Sequence, residues 1–228
     1  KHPIVNKLKE TIKYTSLDYF YDSEENFEDV YYKISKHIVE LAKEGDLVYA
    51  VPGHPRVAEK TVGIIESMAK ENNIEVETIA SMSFVDAMFN YLAVDPADGF
   101  KLIDAFEIEN SYIDTNTSMI ITQIYDHFIA SNIKLKLMEY YDYDQEVCIV
   151  NGAGVKNLES KKYVPLYELD RSENLFNYLT SLYIPKSSKK IYNTVHDLES
   201  IMNTLRGENG CDWDKKQTHE SLKKYVIE

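Results

Sequence analysis

Cysteine is scarce in this chain of 228 residues: only Cys148 and Cys211 occur, far apart in sequence. Neither belongs to a His/Cys cluster with zinc spacing, and two such residues make no disulfide scaffold. Both are expected to be reduced in a cytoplasmic setting, with Cys148 inert inside the apolar run VCIV. Glycine is sparse too. Among the eight glycines no G-x-x-x-x-G-K-S/T can be assembled, which excludes a P-loop. The stretch "GAGVKN" from Gly152 starts like a dinucleotide fingerprint but lacks its third glycine. No apolar run reaches the length of a membrane span, and no repeat or low-complexity tract is present.

Positive charge is also short. The 25 basic side chains face 38 acidic ones, a formal net charge of −13. A field of that sign repels a phosphate backbone and disfavours nucleic acid as a partner. It serves solubility, although acidic clusters can also gather Mg2+. What is present in quantity is core-forming material: 44% hydrophobic and 12% aromatic residues mark a globular chain. The length suffices for one large domain or two modest ones.

Strand-like and helical runs alternate. Phe27, Val30, Tyr31, Ile34, Ile38 and Leu41 fall at helical spacing. LVYAV, 47–51, reads as a short strand buried on both faces, and IEVETIA, 74–80, alternates like a strand. A helix is expected over 83–94, a turn over 94–100, a strand at 117–123, a helix at 125–140 and a strand at 146–150. Shorter strands are expected at 162–166 and 180–184. This alternation predicts an α/β fold with a mainly parallel sheet. After the polar linker 184–190, Ile191, Val195, Leu198, Met202 and Leu205 mark an amphipathic helix, and KQTHESLKKYVIE begins another.

The corner Pro52-Gly53-His54-Pro55, between an apolar run and a helical pattern, is the most restricted stretch. Each proline biases the residue before it toward extended geometry, and Gly53 alone takes a positive φ freely while presenting no side chain. Pro55 suits the first position of a helix. Open α/β sheets bind ligands beyond the carboxyl ends of their strands, so bare backbone here offers a ligand wall. The plainer reading, a rigid turn with His54 as a hydrogen-bonding strut, carries equal weight.

The segments GDLVYAVPGHPRVAEKTV, SMSFVDAMFNYLAVDP, ITQIYDHFIASNIKLKLMEYY and VPLYELDR…YLTSLYIP resemble the tetrapyrrole (corrin/porphyrin) methylase family, in the subgroup fused to a MazG-type nucleotide pyrophosphohydrolase. The resemblance covers roughly residues 1–185, about four-fifths of the chain. It implies a two-lobed α/β fold, incomplete at its start, followed by the first helices of an all-α MazG-type domain. The implied division is 1–115 and 116–186 for the lobes, the first lacking its opening strand, and 187–228 for a linker and the helical start. It also implies a chain cropped at both ends.

The resemblance implies S-adenosylmethionine in the cleft between the lobes. By position, Pro52, Gly53, His54 and Pro55 match the family's glycine–acid–proline turn, with His54 where an aspartate is usual. Ser81, Ser83 and Phe84, then Gln123, Ile124 and Tyr125, then Gly152, Ala153 and Gly154 match further cofactor-side segments. For Ser81, Ser83 and Gln123 ordinary strand-end hydrogen bonding is the competing account. Methyl transfer needs placement and dryness, so no triad or metal is expected in this part.

The tail LRGENGCDWDKKQTHESLKKYVIE resembles the entry to MazG-type pyrophosphohydrolases, with Asp212 replacing a usual proline. In that family an acidic helix holds Mg2+, and Glu228 matches its first glutamate. One carboxylate builds no metal site, so this stretch by itself is expected to hydrolyse nothing. Asp214-x-x-Gln217 reads as a capping box, Trp213 as a staple for the turn and His219 as an exposed helix residue.

The implied activity is that of a methyltransferase joined to a Mg2+-dependent nucleoside triphosphate pyrophosphohydrolase. A catalytically silent methylase-fold module regulating the hydrolase is the alternative, and a hydrolase with a purely structural front part a third. Partners are small molecules, an undefined methyl acceptor and nucleoside triphosphates, with no membrane; a homodimer is left open.

Overall fold

Helical spacing becomes helix wherever it recurs. The computed structural model describes residues 5, 9–23, 26–171, 173–187 and 195–226. The helices are α1 (Tyr19–Ser23), α2 (Phe27–Ala42), α3 (Lys60–Glu71), α4 (Phe84–Leu92), α5 (His127–Leu137), α6 (Val195–Arg206), α7 (Asp212–Lys216) and α8 (His219–Val226). The strands are β1 (Phe100–Asp104), β2 (Ser118–Thr122), β3 (Glu146–Asn151), β4 (Ser160–Pro165) and β5 (Thr180–Ile184). None of the described helices is long and apolar enough to cross a membrane.

The chain divides into two compact units, Lys1–Ile113 with Thr117–Pro185, and Asp114–Asn116 with Lys186–Glu228. The first unit contains the sheet, ordered β1-β2-β5-β3-β4. β1 pairs with β2 in parallel, while β2–β5, β5–β3 and β3–β4 are antiparallel. The sheet is therefore mixed, not mainly parallel as expected. The link 152–159 shows why: a parallel return needs a crossover of a dozen residues or more, and this one is too short.

Successive residues on a strand face opposite ways, and β2, β3 and β5 are buried on both faces. Met119, Ile121, Val147, Ile149, Leu182 and Ile184 pack with Ala130, Ile133 and Leu137 of α5. Ile120, Cys148, Val150 and Tyr183 pack with Val85, Met88 and Leu92 of α4. One helix thus covers each face. A separate core joins Val30, Ile34 and Ile38 of α2, one helical turn apart, to Ile65 of α3. Cys148 is fully buried, and burial pushes its thiol up.

Two expected strands are absent. Residues 47–51 and 74–80 enter no ladder, and Val48 and Ile79 are 90% and 77% exposed. A ladder needs a neighbour as well as an apolar run, and no described strand lies beside either. Conversely β1, with Lys101 and Asp104 on an edge, carries no strand signature; only its first residue, Phe100, falls in the expected turn, and 101–104 carry no expectation.

In the second unit the expected capping box is displaced. Cys211 is the N-cap of α7, so Asp214 sits inside the helix and Gln217 ends it. Thr218 and Ser221 cap α8 instead: each backbone N–H donates to the other's hydroxyl, at 2.9 Å from Thr218 and 3.2 Å from Ser221. Trp213 is half-exposed and meets the Tyr225 ring edge-on at 6.2 Å. His219 is exposed. Ile191 and Glu228 lie outside the described residues.

Candidate functional site

β1 is parallel to β2, and both β2 and β3 are antiparallel to β5, so β1, β2 and β3 run in one direction. Their carboxyl ends, Asp104, Thr122 and Asn151, share one end of the sheet. Gln123–Tyr125 follow β2 directly, and Gly152–Gly154 follow β3. Two of the four expected segments therefore leave the sheet where open α/β folds bind ligands.

The other two meet on α4. Gly53 has φ +80°, and a Cβ there would lie 3.7 Å from the Met82 carbonyl and 3.9 Å from the Phe84 nitrogen. Gly154, at φ +78°, would bring a Cβ to 2.8 Å from Cβ of Ala87, one turn further along the same helix. Gly53, the start of α4 and the Gly152–Gly154 loop thus converge on one helical turn. Pro52 is exposed, and His54 and Pro55 are half-buried.

The corner differs from expectation in one respect. Pro55 does not open a helix: α3 starts at Lys60, with Glu59 as N-cap accepting from the Thr61 N–H. Between them the Val57 N–H donates to the His54 carbonyl at 3.0 Å, closing a turn, and Ala58 at φ +54° breaks any helical continuation. The His54 Nδ1 accepts from the Arg56 N–H at 3.1 Å, the behaviour of a local strut.

Ser83 is occupied in capping α4. Its hydroxyl donates to Asp86 Oδ2 at 2.7 Å and accepts from the Asp86 N–H, while its own N–H donates to the same carboxylate at 2.7 Å. Those bonds from Ser83, with a smaller contribution from His54, hold the Asp86 carboxyl below its ordinary range. Ser83→Ala should lower stability by about 1 kcal/mol in urea unfolding. A depressed carboxylate contributes stability that is present above its unfolded value and lost as pH falls through its folded value. The Ser83→Ala deficit should therefore be full at neutral pH and shrink in acid; an unshifted urea midpoint would show the cap idle.

Ser81 is exposed, and Phe84 and Ala153 are half-buried against the α4 face of the sheet. Ile124 is fully buried and its N–H donates to the Thr180 carbonyl, so neither group faces solvent. Gln123, at φ +64°, donates from Nε2 to Asp104 Oδ2 at 3.0 Å and ties the ends of β2 and β1. Tyr125 is half-buried, and burial followed by the charges of Asp126 and Asp104 pushes its phenol up.

Sequence reasoning missed a polar knot beside Gly152. Asn151 Oδ1 accepts from the Thr180 hydroxyl at 2.6 Å and from Asn177 Nδ2 at 3.1 Å, and Asn151 Nδ2 donates to the Leu175 carbonyl. A cavity of about 290 Å3 opens there, lined by Asn151, Gly152, Leu158, Asn177, Tyr178 and Leu179. The available signal was the pair of polar residues Asn177 and Thr180 at the entry to a fully buried strand.

The glycine loop that follows β3 rests on α4 beside Gly53, at the end of the sheet where open α/β folds place their ligand sites. The chain belongs to the tetrapyrrole (corrin/porphyrin) methylase family, whose description "Tetrapyrrole (Corrin/Porphyrin) Methylases" matches residues 2–170. It is 45% identical over 230 residues to the Bacillus subtilis (strain 168) protein YabN, covering 100% of this chain and 47% of that relative. The chain spans less than half the length of that relative. A stretch of 32 residues, 14% of this chain, is 66% identical to the Thermotoga maritima nucleoside triphosphate pyrophosphohydrolase/pyrophosphatase MazG and covers 12% of it. Among solved structures, diphthine synthase superposes with a TM-score of 0.55 at 16% identity, over 81% of this chain and 78% of that one. Uroporphyrin-III C-methyl transferase from Thermus thermophilus complexed with S-adenyl homocysteine gives 0.50 at 15% identity, over 68% and 72%. Identities this low establish likeness of fold.

Proposed function

We propose that the first unit binds S-adenosylmethionine at the carboxyl ends of β1, β2 and β3 and serves as a methyltransferase. The carrying observation is the convergence of Gly53, the capped start of α4 and Gly154 on one helical turn. A Cβ at Gly154 would collide with Ala87, so loop and helix approach as closely as backbone permits and bring the loop's backbone to the carboxyl end of the sheet. Gly53 and Gly152–Gly154 would hold the cofactor by backbone, with Gln123 and Tyr125 closing the β2 side. The cofactor, when bound, supplies an activated methyl group. The protein's own task is to place the acceptor in line with it and exclude water.

In the whole protein we assign an attached MazG-type pyrophosphohydrolase to the segment that begins with α6, on the strength of the 32-residue likeness and the GCDWD…QTHESL pattern. Glu228 would be one of its Mg2+ ligands, acting on nucleoside triphosphates. Isothermal titration of S-adenosylmethionine into the protein should give saturable heat at one site per chain. A flat trace at millimolar cofactor would sink the methyltransferase reading.

A second reading follows from His54, which stands where the family has an acid and is spent on Arg56. On that reading the fold senses a metabolite and controls the hydrolase without transferring methyl groups. It requires the whole protein's triphosphate hydrolysis rate to respond to added S-adenosylmethionine, and an unchanged rate removes it.

A further inference from the structure

Beyond the β2 edge of the donor site, which Tyr125 closes, a cluster of rings extends at the same end of the sheet. Phe27 is the first residue of α2, Phe106 lies in the turn Ala105–Glu107 after β1, and Tyr125 follows β2. Their ring centroids form a near-equilateral triangle, with Phe27–Phe106 at 6.1 Å, Phe27–Tyr125 at 6.3 Å and Phe106–Tyr125 at 6.0 Å. Phe27 and Phe106 remain 41% and 49% exposed, so one side of the triangle is open. Tyr31 stacks on Phe27 at 6.1 Å and backs the cluster.

The border is anionic. Burial, followed by Tyr21, Asp104 and Glu59, pushes the Tyr31 phenol up to about 12, and Asp104 also acts on Tyr125. Lys60 approaches Asp104 at 3.8 Å and Gln123 donates to it at 3.0 Å, so that carboxylate is held at the end of β1. The phenols stay protonated at neutral pH, and the negative field reaches them from Asp104, Glu59 and Asp126.

We propose that this triangle borders the acceptor side of the site and takes the ammonium group of an organic cation against Phe27, Phe106 and Tyr125. That ammonium has no lone pair for a methyl group and is the recognition handle. A separate uncharged nucleophilic atom of the same molecule bonds to the methyl carbon as the carbon–sulfur bond breaks, and its proton passes to solvent. Naming it the acceptor side rests on the methyltransferase reading above; the cation site itself does not. A cation centred above rings spaced this way lies within roughly 5–6 Å of all three centroids, the range over which ring quadrupoles attract it. Fields from the neighbouring carboxylates add in the same direction. A polycarboxylate acceptor would meet the opposite reception. Each of the chain's three arginines is already engaged: Arg56 with Glu66, Arg171 with Glu168, and Arg206 with the carbonyls of Asp214 and Gln217. Because β5 lies between β2 and β3, the rings at β2 and the glycine loop at β3 are about 10 Å apart, enough for two ligands side by side.

Choline and its uncharged carbon isostere 3,3-dimethylbutan-1-ol separate charge recognition from simple apolar contact. Titrated into the 228-residue protein, choline should saturate and bind about tenfold more tightly than the isostere. Phe106→Ala removes an exposed ring, leaves the urea midpoint near wild type and should weaken choline about threefold to tenfold. Saturating S-adenosylhomocysteine should leave choline affinity unchanged or raise it. Equal affinity for choline and the isostere, no saturation by choline, or wild-type affinity in Phe106→Ala overturns the cation site. Competition by S-adenosylhomocysteine overturns the acceptor assignment, because the rings would then belong to the donor's place. If S-adenosylhomocysteine itself gives no heat, the methyltransferase reading and the acceptor assignment fall together, while the choline arms still decide the cation site.

Discussion

Gly154→Val should destabilise the first unit by about 3 kcal/mol, the sum of two separable costs. The backbone at φ +78° suits glycine, and a β-branched residue there carries about 1–2 kcal/mol of strain. Independently, the new Cβ would stand 2.8 Å from Cβ of Ala87, well inside ordinary contact, so loop or helix must shift at a further 1–3 kcal/mol or so. The milder Gly154→Ala separates them. Combined with Ala87→Gly, it should recover the contact cost while keeping the backbone strain, and the two changes should couple by about 1 kcal/mol in a double-mutant cycle of urea midpoints. Affinity for S-adenosylmethionine should follow the same order, falling in Gly154→Val and partly recovering in the double variant. Wild-type stability in Gly154→Val would mean that the loop does not rest on α4, and the proposed site would go with it.

Why Gly53 and Gly154 were readable beforehand, and their meeting place was not, comes down to the range of the physics involved. A glycine between two prolines, or a Gly-x-Gly after an apolar run, announces a backbone position that other residues resist. That both approach the same turn of α4 depends on helix packing across the sheet, to which residues at 53, 87 and 154 contribute jointly. Helices α2 and α4 were legible because apolar positions repeat every three or four residues over several turns. Strands β2, β3 and β5 were legible because both their faces are buried. The same apolar signature at 47–51 misled, since Val48 is almost wholly exposed and the run has no ladder partner among the described residues. Strand direction was misjudged because alternating helices and strands suggested crossovers, whereas the short 152–159 link permits only a reversal. The Phe27–Phe106–Tyr125 triangle had no local trace at all. Its members come from a helix start and two strand ends, and only the parallel pairing of β1 with β2 sets two of them side by side.

Breaking the Lys134–Asp170 pair should have the second large effect, and it should reach the site through α5. Lys134 Nζ lies 2.6 Å from Asp170 Oδ2, with the two side chains only 18% and 17% exposed. Burial pushes the Asp170 carboxyl up, but hydrogen bonds from Lys134 and Ser131 and the Lys134 charge outweigh it and hold the group below its ordinary range. A pair this sheltered falls between surface and interior ion pairs. Lys134→Met, which strands the carboxylate, should therefore cost about 2 kcal/mol. Adding Asp170→Leu removes the stranded charge and should return most of that loss, an outcome a purely steric role for Lys134 would not give. The pH dependence has a fixed sign. With its folded value depressed, Asp170 contributes fully above an unfolded value of about 3.9 and loses its contribution as pH falls through the lower folded value. Wild type should therefore lose stability below about pH 4 more steeply than Asp170→Asn, and parallel curves would refute the pair's contribution. Asp126, which caps α5, directly follows Tyr125, so a loosened helix unseats the ring that closes the triangle. Lys134→Met should accordingly weaken choline while leaving S-adenosylmethionine affinity nearer to wild type, since the glycine loop rests on α4 across the sheet.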